Sequence, residues 1–278
     1  MDKRRQVVGK LKFTSRLALV ILLVVILFGL GADLFAFHSP QLPSGAALEG
    51  PSRVHWLGTD DLGIDLWAQI CQGARISILV GFGVAVLAGI GGGLIGMLAG
   101  YYGGCIDRLV MRTIDLMLVL PDLLLMIVLG AFFGPSISNI IIVLSLLSWA
   151  APARIVRSRL ISLKQEQRVT AAYSYGAGFW HLTRYHFLPE LLPLLMVSNI
   201  KLVGKTIVAE ASLSFLGLGD PTAKSWGIIL NHAINFSGIY FTPYWRWWVL
   251  SPLVALTVLI AAIAVLSRDI EKIINTKI

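Results

Sequence analysis

The chain has 278 residues, of which 56% are hydrophobic and 14% charged, with a formal net charge of +8 and a mean hydropathy of +0.79. Soluble domains carry about a quarter of their residues charged, so this deficit and the long uncharged runs exclude an ordinary soluble protein and indicate an integral membrane protein. The basic excess follows the membrane topology below rather than forming a nucleic-acid face. Cys71 and Cys105, the only cysteines, fall on opposite sides of that topology, so neither a disulfide nor a metal-ligand cluster is expected, and no cofactor.

Residues 1–16 carry Lys3, Arg4, Arg5, Lys10, Lys12 and Arg16 ahead of an apolar run over 17–37. That run exceeds the core of about 7–15 residues of a cleaved signal peptide and meets the requirement of about 20 residues for a bilayer crossing; it is read as a first span. An outer loop at 38–74 contains HWLGTDDLGIDLWAQI. Its acids Asp60, Asp61 and Asp65 lack the alternating ligands and closing glutamate of a calcium loop, so they are read as caps or turns.

Five further spans between 75 and 267 form the core. The second, over 75–100, has Gly89, Gly92, Gly93, Gly96 and Gly100 in small-xxx-small pairs that let another helix approach closely. After a short connection, YYGGCIDRLVMRTID, the third covers 114–133 and includes Pro121 and Asp122. Asp122 either lines a pathway beside a proline kink or sits shallow in the interface. Gly134-Pro135 turns the chain into a fourth span over 137–153.

Residues 154–190 then break the apolar pattern with Arg154, Arg157, Arg159, Lys164, Arg168 and Arg184, interleaved with Tyr173, Tyr175, Phe179, Trp180 and Phe187. The cations keep this segment in water; the aromatics make it a docking surface. The fifth span, 191–213, contains Lys201, Lys205 and Glu210. Its two lysines stand one turn apart on one face, where they either line a conduit or anchor the bundle. Gly204-Lys205-Thr206 is not a phosphate loop, because Asn199 stands where the pattern needs glycine and no strand precedes it. An outer loop at 214–246, a last span at 247–266 with Trp245, Trp247 and Trp248 at its outer end, and a tail at 268–278 complete the chain. The basic residues place both termini and the central loop in the cytoplasm; the outer side receives only Arg53, Lys224, Arg246 and, at a span's edge, Arg75.

These residues carry a resemblance. The order Thr170-Ala171-Ala172, Gly176, Phe187-Leu188-Pro189, with His186 before it, resembles the cytoplasmic signature of ABC importer permeases in the dipeptide, oligopeptide and nickel branch. HWLGTDDLGIDLW, YYGGCIDRLVMRTIDLMLVLP and LSFLGLGDPTAKSWG resemble three more of that branch's segments, in the right order. Thr170 replaces the signature glutamate, Ile64 the arginine of a GRD triplet, and Ala68-Gln69 the usual Ser-Arg.

The resemblance implies an all-α fold of about six transmembrane helices, the type I importer fold. It also implies that the chain is not itself an enzyme: ATP is hydrolysed by partner ATPase subunits. Further implied partners are a second permease subunit, a paralogue, and an extracytoplasmic solute-binding protein. On this analogy Thr170, Ala171, Ala172, Gly176, His186 and Pro189 shape a coupling helix, and Tyr173, Tyr175, Phe179 and Trp180 supply its apolar contact. The solute class is a peptide, nickel or a metal chelate. The alternative class is a secondary transporter or channel driven by an ion gradient through Asp122, Lys201, Lys205 and Glu210.

Overall fold

The computed structural model describes residues 13–275; Lys3, Arg4, Arg5, Lys10, Lys12 and Lys277 lie outside them. Helix α1 (Phe13–Leu30) ends in a turn at Gly31 and a single helical turn, Ala32–Phe35. Then come α2 (Leu66–Tyr102), α3 (Gly104–Val119), α4 (Asp122–Phe133), α5 (Ile137–Ser148), α6 (Ala150–Lys164), α7 (Gln167–Ser174) and α8 (Phe179–Leu182). A π-helical turn, Thr183–Phe187, joins α8 to α9 (Leu188–Phe215), and α10 (Trp226–Asn235) and α11 (Leu250–Asn275) follow. No strand occurs among the described residues; a lone bridge pairs Thr59 with Asp65.

Among the described residues, five helical runs are long and apolar enough to cross a membrane, and a sixth arises if α3 and α4, bent by 92°, count as one span. The bend falls at Pro121, where the expected continuous third span breaks. Proline has no N–H for the helical ladder and pushes the residue before it out of the helical region, and Leu120 is extended at φ −69°, ψ 139°.

The organising element is α2, against which α1, α5, α6 and α9 all pack. Its 37 residues reach about 55 Å at 1.5 Å per residue, well beyond the hydrocarbon thickness of about 30 Å. The glycine pairs do what their spacing implies. A methyl group on Gly92 would lie 2.3 Å from the Trp149 carbonyl oxygen, and one on Gly96 2.2 Å from that of Ala153. Only glycine admits the junction of α5 and α6 this close.

Four spans run longer than the hydropathy reading: the second already begins at Leu66, inside the expected loop at 38–74, and the last reaches Asn275. The fourth continues through α6 to Lys164, so Arg154, Arg157 and Arg159 stand on a helix rather than in a loop. Each has an anionic partner: Arg154 pairs with Asp115, Arg157 bonds both Asp107 oxygens at 2.8 and 2.5 Å, and Arg159 reaches Glu190 at 3.1 Å. Interleaved with them, Val156, Leu160 and Leu163 are fully buried against the bundle. The fifth starts at Phe179, twelve residues before hydropathy alone would place it. Pro189 cannot donate to a carbonyl four residues back; the π turn absorbs that gap, with the Leu188 N–H reaching the Thr183 carbonyl. The last span opens with Trp248 buried in the core cluster that holds Trp226, Leu256 and Ile263, not at an aromatic rim.

The loop between α1 and α2 is organised by its acids, as caps and turns. Asp60 accepts from the Leu62 and Ile64 N–H groups at 3.0 and 2.9 Å and from the Gln69 amide at 2.7 Å. Asp65 caps α2 by accepting from the Ala68 N–H at 3.0 Å. The departures from the branch pattern fit this frame: Ile64 is buried, and Gln69 is the neutral partner of Asp60.

Candidate functional site

The central segment folds as a short helix, a glycine turn and a second helix resting on one end of the bundle. Helix α7 carries Thr170, Ala171, Ala172 and Tyr173. It ends in a Schellman arrangement: the Gly176 N–H donates to Tyr173 O at 2.9 Å and the Ala177 N–H to Ala172 O at 3.1 Å. Gly176 has φ +82° and nothing within 4 Å of where a side chain would start, so it is required by backbone conformation rather than by crowding.

The underside of this segment is a packed layer of buried Val169, Leu182, Phe187 and Leu191 on Met97, Val156, Leu160 and Leu163, with Ala172 half-buried against it. The outer side is bare. Tyr173, Tyr175 and Trp180 are 67%, 93% and 81% exposed. Ala171 is exposed with them, as is Pro189 at the head of α9, while His186 is half-buried in the π turn. Phe179 turns inward onto Tyr101, ring centroids 4.6 Å apart. Tyr185, 67% exposed and 4.8 Å from the His181 ring, joins the aromatic face. Sequence reasoning missed it because its direction is set by the π turn, which a 3.6-residue period does not anticipate.

Beside this face stands an ion network. Glu190 accepts from Arg168 at 2.8 Å and from Arg159 at 3.1 Å, and Glu166 accepts from Arg168 at 2.7 Å. Thr170, at the place of the signature glutamate, donates its hydroxyl to the Glu166 carbonyl at 3.2 Å. The α7 surface is therefore neutral at that position, and the acidity sits one turn earlier.

The polar residues of the bundle do not form one cluster. Lys205 pairs with Asp122 at the start of α4. Lys201 bonds Glu271 of α11 at 2.7 Å. Glu210 is buried and accepts from the Ser214 hydroxyl at 2.7 Å. The lysines share a face of α9 but tie it to two different helices.

A third grouping was not anticipated, because its members lie far apart in sequence. His38, His55 and Asp65 each offer a ligand-type atom within 4.8 Å of the others. His55 Nδ1 stands 3.2 Å from Asp65 Oδ1, and His38 Nδ1 3.9 Å from Asp65 Oδ2.

An all-helical set of membrane-crossing elements around a glycine-lined central helix, with an exposed aromatic segment at one end, defines a multi-pass membrane transport subunit. Residues 92–278 match the family of binding-protein-dependent transport system inner membrane components. The chain belongs to that family, the permeases of ABC importers. It is 37% identical over 247 residues to the dipeptide transport system permease protein DppC of Alkalihalophilus pseudofirmus, covering 86% of this chain and 78% of the relative. It is 35% identical over 229 residues to the "Probable D,D-dipeptide transport system permease protein DdpC" of Escherichia coli, covering 81% and 76%. With the glutathione transport system permease protein GsiD of Pectobacterium atrosepticum it shares 39% identity over 186 residues, 66% of this chain and 62% of the relative.

Proposed function

We propose that this chain is one of two permease subunits of an ATP-driven importer of small peptides, in which an external binding protein delivers solute and the segment at 169–189 receives the motion of partner ATPases. The observation that carries this reading is the two-sided construction of that segment. One face is fixed to the bundle by fully buried Phe187, Leu182 and Val169, and the other presents Tyr173, Tyr175, Trp180 and Tyr185 to water. A lever between two bodies needs both properties: a rigid packed side that moves the helices, and an apolar side that a partner can grip.

The peptide class is carried over from the names of the relatives; nickel and metal chelates, which the sequence motifs alone kept open, have no support from those names. Chemistry in this assembly belongs to the ATPases. The central segment and both termini face the cytoplasm, because Arg154, Arg157, Arg159, Lys164 and Arg168 gather at that end of the bundle. The ion pairs of Lys201 and Lys205 favour bundle anchoring over a gradient-driven conduit through Asp122, Lys201, Lys205 and Glu210.

The test is Gly176→Asp and Ala172→Asp, each expressed with its partner subunits. Aspartate tolerates the left-handed conformation of residue 176, and open space surrounds it, so that chain folds and inserts. Peptide uptake and peptide-stimulated ATP hydrolysis are expected to fall to background in both variants at normal membrane levels. Full uptake in both would overturn coupling through this segment.

A further inference from the structure

We propose that the outer loop binds a divalent transition-metal ion of the zinc class through His38, His55 and Asp65. This inference stands apart from the transport reading and concerns the opposite end of the molecule.

The three residues come from three places: His38 just after the turn that ends the first helix, His55 in the middle of the loop, and Asp65 at the cap of α2. Two imidazoles and one carboxylate are a donor set that zinc accepts, with solvent in the fourth position. His55 and Asp65 are 3% and 1% exposed, so the pair is preformed and shielded. Their 3.2 Å separation subtends roughly 100° at an ion about 2.1 Å from each atom, close to a tetrahedral angle. Asp65 divides its work in a way that suits an ion. Oδ2 holds the Ala68 N–H at 3.0 Å, and Oδ1 faces His55.

His38 supplies the observation that a hydrogen-bonded turn leaves unexplained. Its Nδ1 is buried and has no hydrogen-bond partner, although it lies only 3.9 Å from the Asp65 carboxylate, too far for a hydrogen bond. Its ring packs 4.7 Å from that of His55. A buried ring nitrogen turned toward a carboxylate without bonding it is costly as it stands; an ion between them satisfies both. His38 has to move toward the pair to join it, because ligand atoms up to 4.8 Å apart exceed the roughly 4.2 Å that two atoms about 2.1 Å from one ion can span.

A further feature suits the site. A cavity of about 320 Å³, lined by Asp33, Phe37, His38, Ser39, Ala68 and Gln72, gives an approach from outside. Such an ion would clip the start of the outer loop to the head of the central helix.

The experiment uses the full chain, co-purified with its partner subunits through a tag free of histidine, stripped with chelator and titrated with zinc. Metal content is read by mass spectrometry, and cobalt is substituted to read the visible bands of a tetrahedral site. About one zinc per chain is expected, together with a rise in thermal midpoint on adding zinc. His38→Ala alters a partly exposed ring and leaves the Asp65 cap intact, so it folds; it is expected to weaken zinc binding at least about tenfold and abolish the midpoint shift. His232→Ala, outside the cluster, should change neither. Equal zinc in wild type and His38→Ala, or none in either, overturns the proposal.

Discussion

Lys205 of α9 closes on Asp122, the first residue of α4. The contact exists because Pro121 ends one helix and starts another. A continuous third span would have carried Asp122 along the helix flank; the 92° bend instead puts the carboxylate at a helix N-terminus, where negative charge is favoured, and within reach of the lysine.

Asp122→Asn is therefore expected to destabilise the chain modestly, by about 1 kcal/mol, because Lys205 and Asp122 are only partly buried, 57% and 35% exposed. The exchange Asp122→Lys with Lys205→Asp should recover less than half of that loss, since lysine is then disfavoured at the helix start. A double-mutant cycle on thermal midpoints in detergent reads both effects.

The glycine seam of α2 makes a position-specific prediction. Gly92→Ala and Gly96→Ala each drive a methyl into a backbone carbonyl and should cost about 1–3 kcal/mol by overpacking. Gly91→Ala, one residue away with nothing within 4 Å, should be neutral or slightly stabilising through helix propensity. Equal losses at all three positions, measured by thermal denaturation, would refute the seam.

The two faces of the central segment should separate stability from coupling. Phe187→Ala removes a fully buried ring and should cost about 3–5 kcal/mol. Tyr175→Ala and Trp180→Ala remove exposed rings and should leave the thermal midpoint within about 1 °C, since such surface changes fall within ±0.5 kcal/mol, while lowering co-purification of ATPase subunits severalfold. Phe179→Ala should behave like a packing variant because its ring lies on Tyr101.

Helix α10 should respond to acid. Burial first, then the Lys224 charge, lowers the His232 pKa, with Asp61 and Asp60 opposing. Burial and Asp60 raise that of Asp61. A histidine depressed below its ordinary value of about 6.5 gives stability that is complete above that value and lost as pH falls through its folded value. Asp61 acts with the opposite sign at lower pH, where its protonation relieves a cost. The thermal midpoint should fall between pH 7.5 and 5.5, and His232→Gln should flatten that slope.

The sequence by itself determined the class of molecule. Bilayer thickness dictates the length of apolar runs, hydration keeps most of the cations outside them and their bias gathers the majority at one end, and the ordered motifs could be matched without any three-dimensional information. The glycine spacing of α2 and the turn at Gly176 were legible for the same reason, since each depends on local backbone geometry. Tertiary structure alone decided where helices continue or stop when a charge finds a partner. Hydropathy ends the fourth span before Arg154, but Asp115, Asp107 and Glu190 neutralise the arginines of α6 and the helix runs on. It also decided which aromatics point outward, because the π turn before Pro189 resets the register. The convergence of His38 and His55 on Asp65 was invisible along the chain, since it follows from how a loop without regular helix or sheet folds back onto a helix cap.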